Sequence, residues 1–228
     1  MTIALIDGDI VLYRGASSCE PTKIKPDREP LEVALARTDK IMVDILHETG
    51  AEDYLVFLSG TNNFRKDINP EYKANRKDHV KPRWFEQCGQ YLIDEWNAEI
   101  TDGYEADDAL GFNQTKDTII CTIDKDLLQV PGRHYNFVKK EWQVVDELTG
   151  YKNFYKQMLT GDTSDNIFGI KGIGAVKAAK LIDPCTTHNE METLVNDLYA
   201  DGMRFYMNAD CLWVMRKEGE RFSDVEWG

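Results

Sequence analysis

The sequence predicts an α/β fold with a parallel central sheet flanked by helices, followed by a small all-helical region. Three short apolar runs, at residues 3–6, 54–58 and 118–123, have the length and composition of strands buried on both faces. A long amphipathic helical pattern separates the first two runs, and a strand–helix–strand order requires a parallel pair. Near residue 150 the pattern changes to helices and turns, which predicts one unit over residues 1–150 and another over 151–228.

The helical patterns are read from apolar residues that recur every three to four positions. The first begins at about residue 31 and ends near Gly50, and a second covers residues 84–96. Residues 134–138 and 142–145 flank a polar turn and predict a hairpin at the sheet edge. Further helices are expected over residues 151–160, 175–182, about 189–200 and about 203–217.

Composition excludes several classes of protein. The chain has no run of about 20 apolar residues, so it is not expected to span a membrane. The first residues do not resemble a secretory signal, and five scattered cysteines without a CxxC pair are typical of reduced thiols in a cytoplasm. A net charge of −13 argues against nucleic-acid binding by the whole surface.

Positive charge is nevertheless concentrated in two places. Residues 64–83, here called the basic segment, contain seven basic and three acidic residues interleaved with aromatic ones. Residues 171–180 contain three lysines and no acid. The basic segment is either a solvated loop or a flexible element that contacts phosphates, and its position after the second strand favours the latter.

Residues 103–110, here called the acidic stretch, place Glu105, Asp107 and Asp108 within four positions. One interpretation is an acidic first helical turn that complements the helix dipole. The other is a cation site, because a bound cation would relieve the repulsion between the three carboxylates. The stretch alone does not decide between them.

More acids follow the predicted strands or lie in a polar turn near residue 160. Asp7 ends the first strand, although it could instead cap a turn. A set of oxygen ligands without histidine or cysteine suits Mg²⁺ or Mn²⁺, and two such ions ~3.5–4 Å apart catalyse phosphodiester displacement. A phosphatase would fit the carboxylates equally well. The other acids of this set are Asp124, Asp126, Asp162 and Asp165.

The second positive region supplies the substrate class. Gly172 and Gly174 precede a predicted helix, and such a loop presents backbone N–H groups to a phosphate, although a GxG of this kind can also be a plain turn. Lys171, Lys177 and Lys180 add charge. Together with the acids and the basic segment, this pattern indicates sequence-independent binding of a nucleic-acid backbone.

Five motifs in order resemble the 5′-nucleases, the structure-specific 5′→3′ exonucleases and flap endonucleases of phages and of bacterial polymerase N-terminal domains. The motifs are Leu5-Ile6-Asp7-Gly8-Asp9; Phe64-Arg65 with Pro70-Glu71-Tyr72-Lys73-x-x-Arg76; Gly103-Tyr104-Glu105-Ala106-Asp107-Asp108; Asp124-Lys125-Asp126-x-x-Gln129; and Gly161-Asp162-x-Ser164-Asp165-Asn166 with Gly169-x-x-Gly172-x-Gly174.

The resemblance implies a PIN-like catalytic domain over residues 1–150, with a basic arch at about 62–88, and a helix-three-turn-helix DNA-binding domain over residues 151–228. It implies a metal-dependent enzyme of replication or repair that acts on DNA with a free 5′ end or a 5′ flap, and on RNA–DNA hybrids as a further substrate. The expected protein is a monomer from a phage or a bacterium, located in the cytoplasm.

The resemblance also assigns residues. Asp7 and Asp107 would hold the first of two Mg²⁺ or Mn²⁺ ions, and Asp107 would be shared with the second. The second would be surrounded by Glu105, Asp107, Asp124, Asp126 and Asp165, with Asp108 and Asp162 completing the shell, directly or through water. Arg65, Lys73 and Arg76 would be the catalytic residues of the arch, positively charged side chains, with Lys73 and Arg76 on the scissile phosphate. DNA would be contacted by Lys66, Tyr72, Lys77, Lys171, Gly172, Gly174 and Lys177, and K⁺ would bind carbonyls of the glycine hairpin.

One departure from the family pattern concerns the first ion. Many members place an aspartate after the second strand, whereas residues 58–63 of this chain contain no acid. We therefore expect Ser59 to hold a metal-bound water, or the first site to be weaker, with a raised Mg²⁺ requirement.

Two alternatives to the exonuclease are a PIN-like endoribonuclease, which needs neither the arch nor the hairpin, and a catalytically weak binder of branched DNA.

Overall fold

A six-stranded sheet forms the centre of the N-terminal part of the protein. The computed structural model describes residues 1–77 and 79–225, so Asp78 of the basic segment lies outside the described residues. The strand order is β3-β2-β1-β4-β5-β6. The strands are β1 (Ile3–Asp7), β2 (Asp53–Leu58), β3 (Glu99–Ile100), β4 (Thr118–Cys121), β5 (Gly132–Asn136) and β6 (Glu141–Val145).

All neighbouring strands of this sheet pair in parallel except β5 and β6, which form an antiparallel hairpin at the edge. The apolar run of β1 lies between β2 and β4, and its residues from Ala4 onward are buried. The predicted parallel sheet with an edge hairpin is therefore confirmed.

Helices cover both faces of the sheet and continue beyond it. Apolar side chains on one face pack with α1, α2 and α4, and those on the other face pack with α5. The helices are α1 (Gly8–Ser17), α2 (Leu31–Thr49), α3 (Arg65–Ile68), α4 (Phe85–Trp96), α5 (Ala106–Phe112), α6 (Glu147–Thr160), α7 (Ala175–Ile182), α8 (His188–Tyr199) and α9 (Gly202–Leu212).

The C-terminal helices α6–α9 form a hydrophobic core of their own, centred on Phe154, Phe205 and Trp213. A two-residue antiparallel ladder is added to this helical region, between β7 (Gly161–Asp162) and β8 (Ile167–Phe168). Tyr72 of the basic segment packs into the same core, so the two parts are joined by more than the chain connection at residue 150. The division into two domains stays a prediction.

Several elements differ from the sequence prediction. Helix α1 follows β1 without a loop and was not predicted, and α9 ends at Leu212, where about residue 217 was expected. Gly15 is one reason why α1 was not predicted. A Cβ at this position would lie 1.9 Å from Thr38 Oγ1, so the fold requires glycine there. The glycine permits close packing of α1 on α2 but lowers the helical signal of the sequence.

Within the described residues, no helix is long and apolar enough to cross a membrane. All five cysteines are unpaired, as predicted.

Candidate metal centre at the carboxyl edge of the sheet

The acids predicted from strand ends meet at one edge of the sheet. Parallel pairing places Asp7, the last residue of β1, beside Phe57 of β2. It also places Ile6 beside Cys121, the last residue of β4, and Asp124 follows shortly after. This is the edge at which open α/β sheets bind ligands.

Asp7 is 2% exposed and uses both carboxylate oxygens. The Ile10 N–H donates to Oδ1 at 3.1 Å and the Thr122 hydroxyl donates to Oδ2 at 2.6 Å. Burial, and then the charge of Asp9, raise the pKa of Asp7 to about 7. Asp7 is thus the N-cap of a helix, α1, where one interpretation expected the cap of a turn, and it also lies near other acids, as the ligand interpretation requires.

The first turn of α5 is attached to the end of β2. The Ala106 N–H donates to Ser59 Oγ at 2.9 Å, and Glu105 is the N-cap residue of the helix. The hydroxyl oxygen of Ser59 thus fixes the start of this helix, and its expected role of holding a metal-bound water stays a prediction. The contact places Asp107 at the same edge of the sheet as Asp7.

Asp107 is half-buried, and its carboxylate has neither a hydrogen bond nor an ion pair within residues 1–77 and 79–225. Burial, and then the charges of Asp7 and Asp124, raise its pKa well above the ordinary value. A carboxylate in this environment would gain more than its neighbours from a bound cation.

Asp108 differs completely from Asp107, its neighbour in sequence. It is fully buried, and Arg65 donates Nη1 to Oδ2 at 2.6 Å and Nη2 to Oδ1 at 2.8 Å. Arg65 also donates to the carbonyl oxygens of Cys211 and Trp213, at 2.8 and 2.7 Å. The Met215 N–H donates to Asp108 Oδ1 at 3.2 Å. This ion pair joins the basic segment, α5 and the C-terminal region.

The burial of Asp108, Arg65 and Tyr72 corrects the roles expected for these three residues. Asp108 has no exposed oxygen for a metal, so it is not placed as a ligand. Arg65 is 3% exposed and its guanidinium group already donates to Asp108 and to two backbone carbonyls, so it is not placed to contact a phosphate. Tyr72 is also 3% exposed and packs in the C-terminal core, so it is not placed to contact DNA.

Tyr72 and Lys73 connect the basic segment to two other acids. The Tyr72 hydroxyl oxygen lies 2.9 Å from Glu105 Oε2 and 2.8 Å from Asp165 Oδ2. Lys73 Nζ lies 2.5 Å from Glu105 Oε1 and 3.7 Å from Asp165 Oδ2. Burial by itself would raise the pKa of Glu105, but the charge of Lys73 helps to hold that pKa below its ordinary value. For Asp165 burial prevails, and its pKa is raised.

Arg76 completes this contact between the basic segment and the turn that follows β7. Its Nη2 donates to Asp165 Oδ1 at 2.7 Å, and its Nε donates to the Ser164 carbonyl at 2.9 Å. The Lys73 N–H donates to the Asp165 carbonyl at 2.9 Å. We call these contacts of Lys73 and Arg76 with Glu105 and Asp165 the open clasp, because the Arg76 side chain is half exposed.

A third group of acids lies between β4 and α6. The Gln157 side-chain N–H₂ donates to Asp126 Oδ2 at 2.7 Å and lies 3.3 Å from Asp162 Oδ2. The Asp126 N–H donates to Asp124 Oδ1 at 2.9 Å, and Ser164 donates its N–H and its hydroxyl to Asp162 Oδ1. Burial, and then the charge of Asp124, raise the pKa of Asp126 to about 8.

The donor chemistry of this edge fits a hard divalent cation, since all the available ligands are carboxylate oxygens. In the described part of the chain, however, no three acids already converge on one point as a formed metal site. Lys73 and Arg76 neutralise two of the acids directly, through the open clasp. Among the described residues, the acids of this region without a cationic partner are Asp7, Asp9, Asp107, Asp124, Asp126 and Asp162.

Comparison with known proteins agrees with this geometry. Residues 2–158 match the family model described as the 5′-3′ exonuclease, N-terminal resolvase-like domain. The chain belongs to the 5′-3′ exonuclease family.

Relatives of two sizes share this family. The 5′-3′ exonuclease of Mycoplasma genitalium is 32% identical over 223 residues, which cover 85% of this chain and 76% of that protein. DNA polymerase I of Chloroflexus aurantiacus is 29% identical over 206 residues, which cover 79% of this chain. The matched part is 22% of that polymerase, so the chain spans about a fifth of its length.

Solved structures of phage T5 5′-exonuclease share the fold. The structure with bound zinc gives a TM-score of 0.67 at 16% identity, covering 93% of this chain and 89% of that chain. The T5 D15 protein co-crystallised with metal ions gives 0.66 at 16% identity, covering 91% and 88%. The similarity extends over the sheet and the C-terminal helices, so the exonuclease fold is confirmed for nearly the whole chain.

The remaining residues expected to contact DNA are on the surface of the exonuclease fold. Gly172 has a φ of +84°, and a Cβ at Gly172 or Gly174 would meet no atom within 4 Å, so the hairpin is open to solvent. Gly174 is the N-cap residue of α7. Their roles stay predictions, as do those of the exposed side chains of Lys66, Lys77, Lys171 and Lys177.

Sequence reasoning missed Asp9, Thr122 and Gln157 at this edge. Asp9 is half-buried and accepts the Ser59 N–H at 3.1 and 3.2 Å with its two carboxylate oxygens. The signal for Asp9 was its position two residues after Asp7, at the end of a strand. Nothing in the sequence distinguishes Gln157 from other polar helix residues.

Proposed function

We propose that this chain is a divalent-metal-dependent 5′→3′ nuclease that hydrolyses DNA phosphodiesters as an exonuclease or flap endonuclease. The single observation that carries the proposal is the open clasp. It places two basic side chains, suited to phosphate binding, in direct contact with acids of the candidate metal centre. A nuclease needs both kinds of group within one side chain's reach of the scissile bond.

The acids would bind two ions, Mg²⁺ or Mn²⁺. Asp7 and Asp107 would hold the first, and Asp107 would be shared with the second. When bound, the ions would supply an activated water and neutralise the leaving oxygen. The second ion would be held by Glu105, Asp107, Asp124, Asp126 and Asp165, with Asp162 held nearby by Ser164 and Gln157.

Lys73 and Arg76 would bind the scissile phosphate. Both already lie against anionic oxygens, so a phosphate oxygen could replace a carboxylate oxygen as acceptor without a large movement of the side chain. Lys66 and Lys77 would contact neighbouring phosphates from the exposed side of the basic segment. Arg65 would act on the site only by holding the segment in place.

The glycine hairpin and α7 would hold the duplex part of the substrate through its backbone, with K⁺ on the hairpin carbonyls. Names of solved relatives support DNA as the ligand: one is a T5 D15 flap endonuclease in a complex with DNA and metal ions, with a TM-score of 0.58 and 16% identity. We place the enzyme, as a monomer, in the cytoplasm of a bacterial or phage-infected cell, acting on DNA and on RNA–DNA hybrids.

The proposal is tested with labelled 5′-flap DNA, nicked duplex and single-stranded RNA, each incubated with Mg²⁺ or with a chelator. We expect cleavage of the DNA substrates from the 5′ side, with Mg²⁺ only. Cleavage of RNA alone would favour an endoribonuclease. Chelator-resistant binding without cleavage of any substrate would favour a branched-DNA binder.

The Asp124→Asn variant separates metal use from DNA binding. It should abolish cleavage, because a ligand is lost, and keep DNA binding, because repulsion of phosphate is reduced. The control is Asp146→Asn at the opposite edge of the sheet, where the carboxylate only caps α6. Cleavage by Asp124→Asn at the wild-type rate would show that the metal assignment is wrong.

A further inference from the structure

We propose that Asp9 supplies, from the first turn of α1, the carboxylate that residues 58–63 do not provide at the end of β2, and that it is a metal-binding residue of the candidate centre. This inference rests on the proposed function. It concerns a residue for which the motifs gave no role, and it replaces the expectation of a first site that lacks one acid.

The backbone brings Asp9 to the end of β2. Helix α1 begins immediately after β1, and β1 is paired with β2 in register. A Cβ at Gly8 would lie 2.5 Å from the Phe57 carbonyl oxygen, so only glycine allows the first turn of α1 to lie against β2. The next side chain, Asp9, then reaches past the last residue of the strand.

The Asp9 carboxylate is fixed in that position by the chain that follows β2. The Ser59 N–H lies 3.1 Å from one carboxylate oxygen and 3.2 Å from the other. Each oxygen keeps a lone pair that Ser59 does not use. The Asp9 carboxylate therefore lies beside residue 59, close to where an acidic side chain at position 59 or 60 would lie.

Neither of those two residues is free to carry it. Ser59 Oγ accepts the Ala106 N–H and fixes the start of α5. A Cβ at Gly60 would lie 2.1 Å from the Thr101 carbonyl oxygen, so this backbone allows no side chain there. Two contacts of one residue, Ser59, thus connect Asp9 to the helix that carries Asp107.

The charges around Asp9 are those of the candidate centre. Burial raises the pKa of Asp9, the hydrogen bond from Ser59 lowers it, the charge of Glu105 raises it and that of Lys73 lowers it. Asp9 is also the strongest charged influence on Asp7. Asp9 therefore lies in the field of Asp7, Glu105 and Lys73, which are residues of the candidate centre.

The experiment compares Asp9→Asn with Asp146→Asn by calorimetric titration of the 228-residue chain with Mn²⁺. Asparagine keeps the acceptor for the Ser59 N–H at position 9 and for the Thr149 N–H at position 146, so both variants preserve the local hydrogen bond. We expect Asp9→Asn to bind Mn²⁺ at least about tenfold more weakly or to lose one ion, and Asp146→Asn to match wild type. DNA binding in chelator should be unchanged in both.

Mn²⁺ binding by Asp9→Asn equal to that of wild type would overturn the inference while leaving the proposed nuclease intact. If wild type neither binds Mn²⁺ nor cleaves DNA, the proposed function fails first and the inference fails with it. Should Asp9→Asn not fold, wild type loaded with Fe²⁺ and treated with ascorbate provides a second measurement. Backbone cleavage beside residues 8–10 supports the inference, and cleavage near Asp107 without cleavage there contradicts it.

Discussion

Two of the ion pairs between the basic segment and the acidic stretch, Arg65–Asp108 and Lys73–Glu105, differ in burial and in surroundings. In the Arg65–Asp108 pair the side chains are 4% and 0% exposed. In the Lys73–Glu105 pair of the open clasp they are 22% and 16% exposed, and Lys73 is also paired with Asp165 at 3.7 Å. The first pair is enclosed by backbone donors and acceptors, and the second borders the acids of the candidate centre.

The comparison shows that the sign of a charge does not reveal its role. Arg65 is the cation paired with the buried Asp108 carboxylate, which also accepts two backbone N–H groups, so removal of the Arg65 charge would leave a buried anion without its counter-charge. Lys73 is paired with acids that solvent can still reach, so a metal ion can replace Lys73 beside these acids, and a phosphate can replace the acids as the partner of Lys73. The two pairs therefore carry the same charges and differ in whether solvent and a ligand can reach them.

The largest difference is expected between Asp107→Asn and Asp108→Asn. Asp107→Asn removes a carboxylate that has no cationic partner, so cleavage of a 5′-flap substrate should fall by at least about 10²–10³-fold while the unfolding midpoint stays the same or rises. Asp108→Asn leaves Arg65 buried and uncompensated, so it should lower the midpoint. Flap cleavage and urea unfolding of the same samples test this, and a stable, active Asp108→Asn protein would contradict the distinction.

Arg65→Met and Lys73→Met test the two cations directly. Arg65→Met leaves Asp108 as an unpaired buried charge, so we expect a loss of about 3–5 kcal/mol in the free energy of unfolding. Lys73→Met should cost less than Arg65→Met, because its partners are reached by water, and it should slow cleavage. Equal losses of stability in the two variants, measured in urea with chelator present, would show that the open clasp is as structural as the buried pair.

A smaller effect is expected from pH. The pKa values of Asp7 and Asp126 are raised to about 7 and about 8 by burial, so between pH 4 and these values the folded protein holds protons that the unfolded chain has lost. Stability therefore falls as pH rises through this range. Thermal unfolding in chelator should give a higher midpoint at pH 5 than at pH 8, and Asp7→Asn should flatten the slope. A midpoint that rises with pH would contradict the burial of these acids.

The sequence predicted the sheet well because its strands are continuous apolar runs, which have few other interpretations. It did not predict β3, whose two residues are too few for a pattern, or α1, whose Gly8 and Gly15 weaken the helical signal. Both glycines are required by contacts with other elements, at Phe57 and Thr38. Such tertiary requirements do not appear in local periodicity.

The site was predicted at the level of its carboxylates and not at the level of individual roles. Asp107 and Asp108 are adjacent and chemically identical, and only the position of Arg65 separates them. In the same way, the sequence of the basic segment shows seven residues of the same charge, whereas the fold buries Arg65 and exposes Lys66. The link between Asp9 and Ser59 spans 50 residues, so no short motif could reveal it.

The most direct test of the account is Mn²⁺ binding by Lys73→Met, measured by calorimetry without DNA. If Lys73 neutralises Glu105 and Asp165 in place of a metal ion, its removal leaves these acids without that cation, and Mn²⁺ should bind several-fold more tightly than to wild type. Arg65→Met, if folded, should show no such gain. Binding to Lys73→Met that is equal to wild type, weaker or absent would contradict the claim that the open clasp lies at a metal centre.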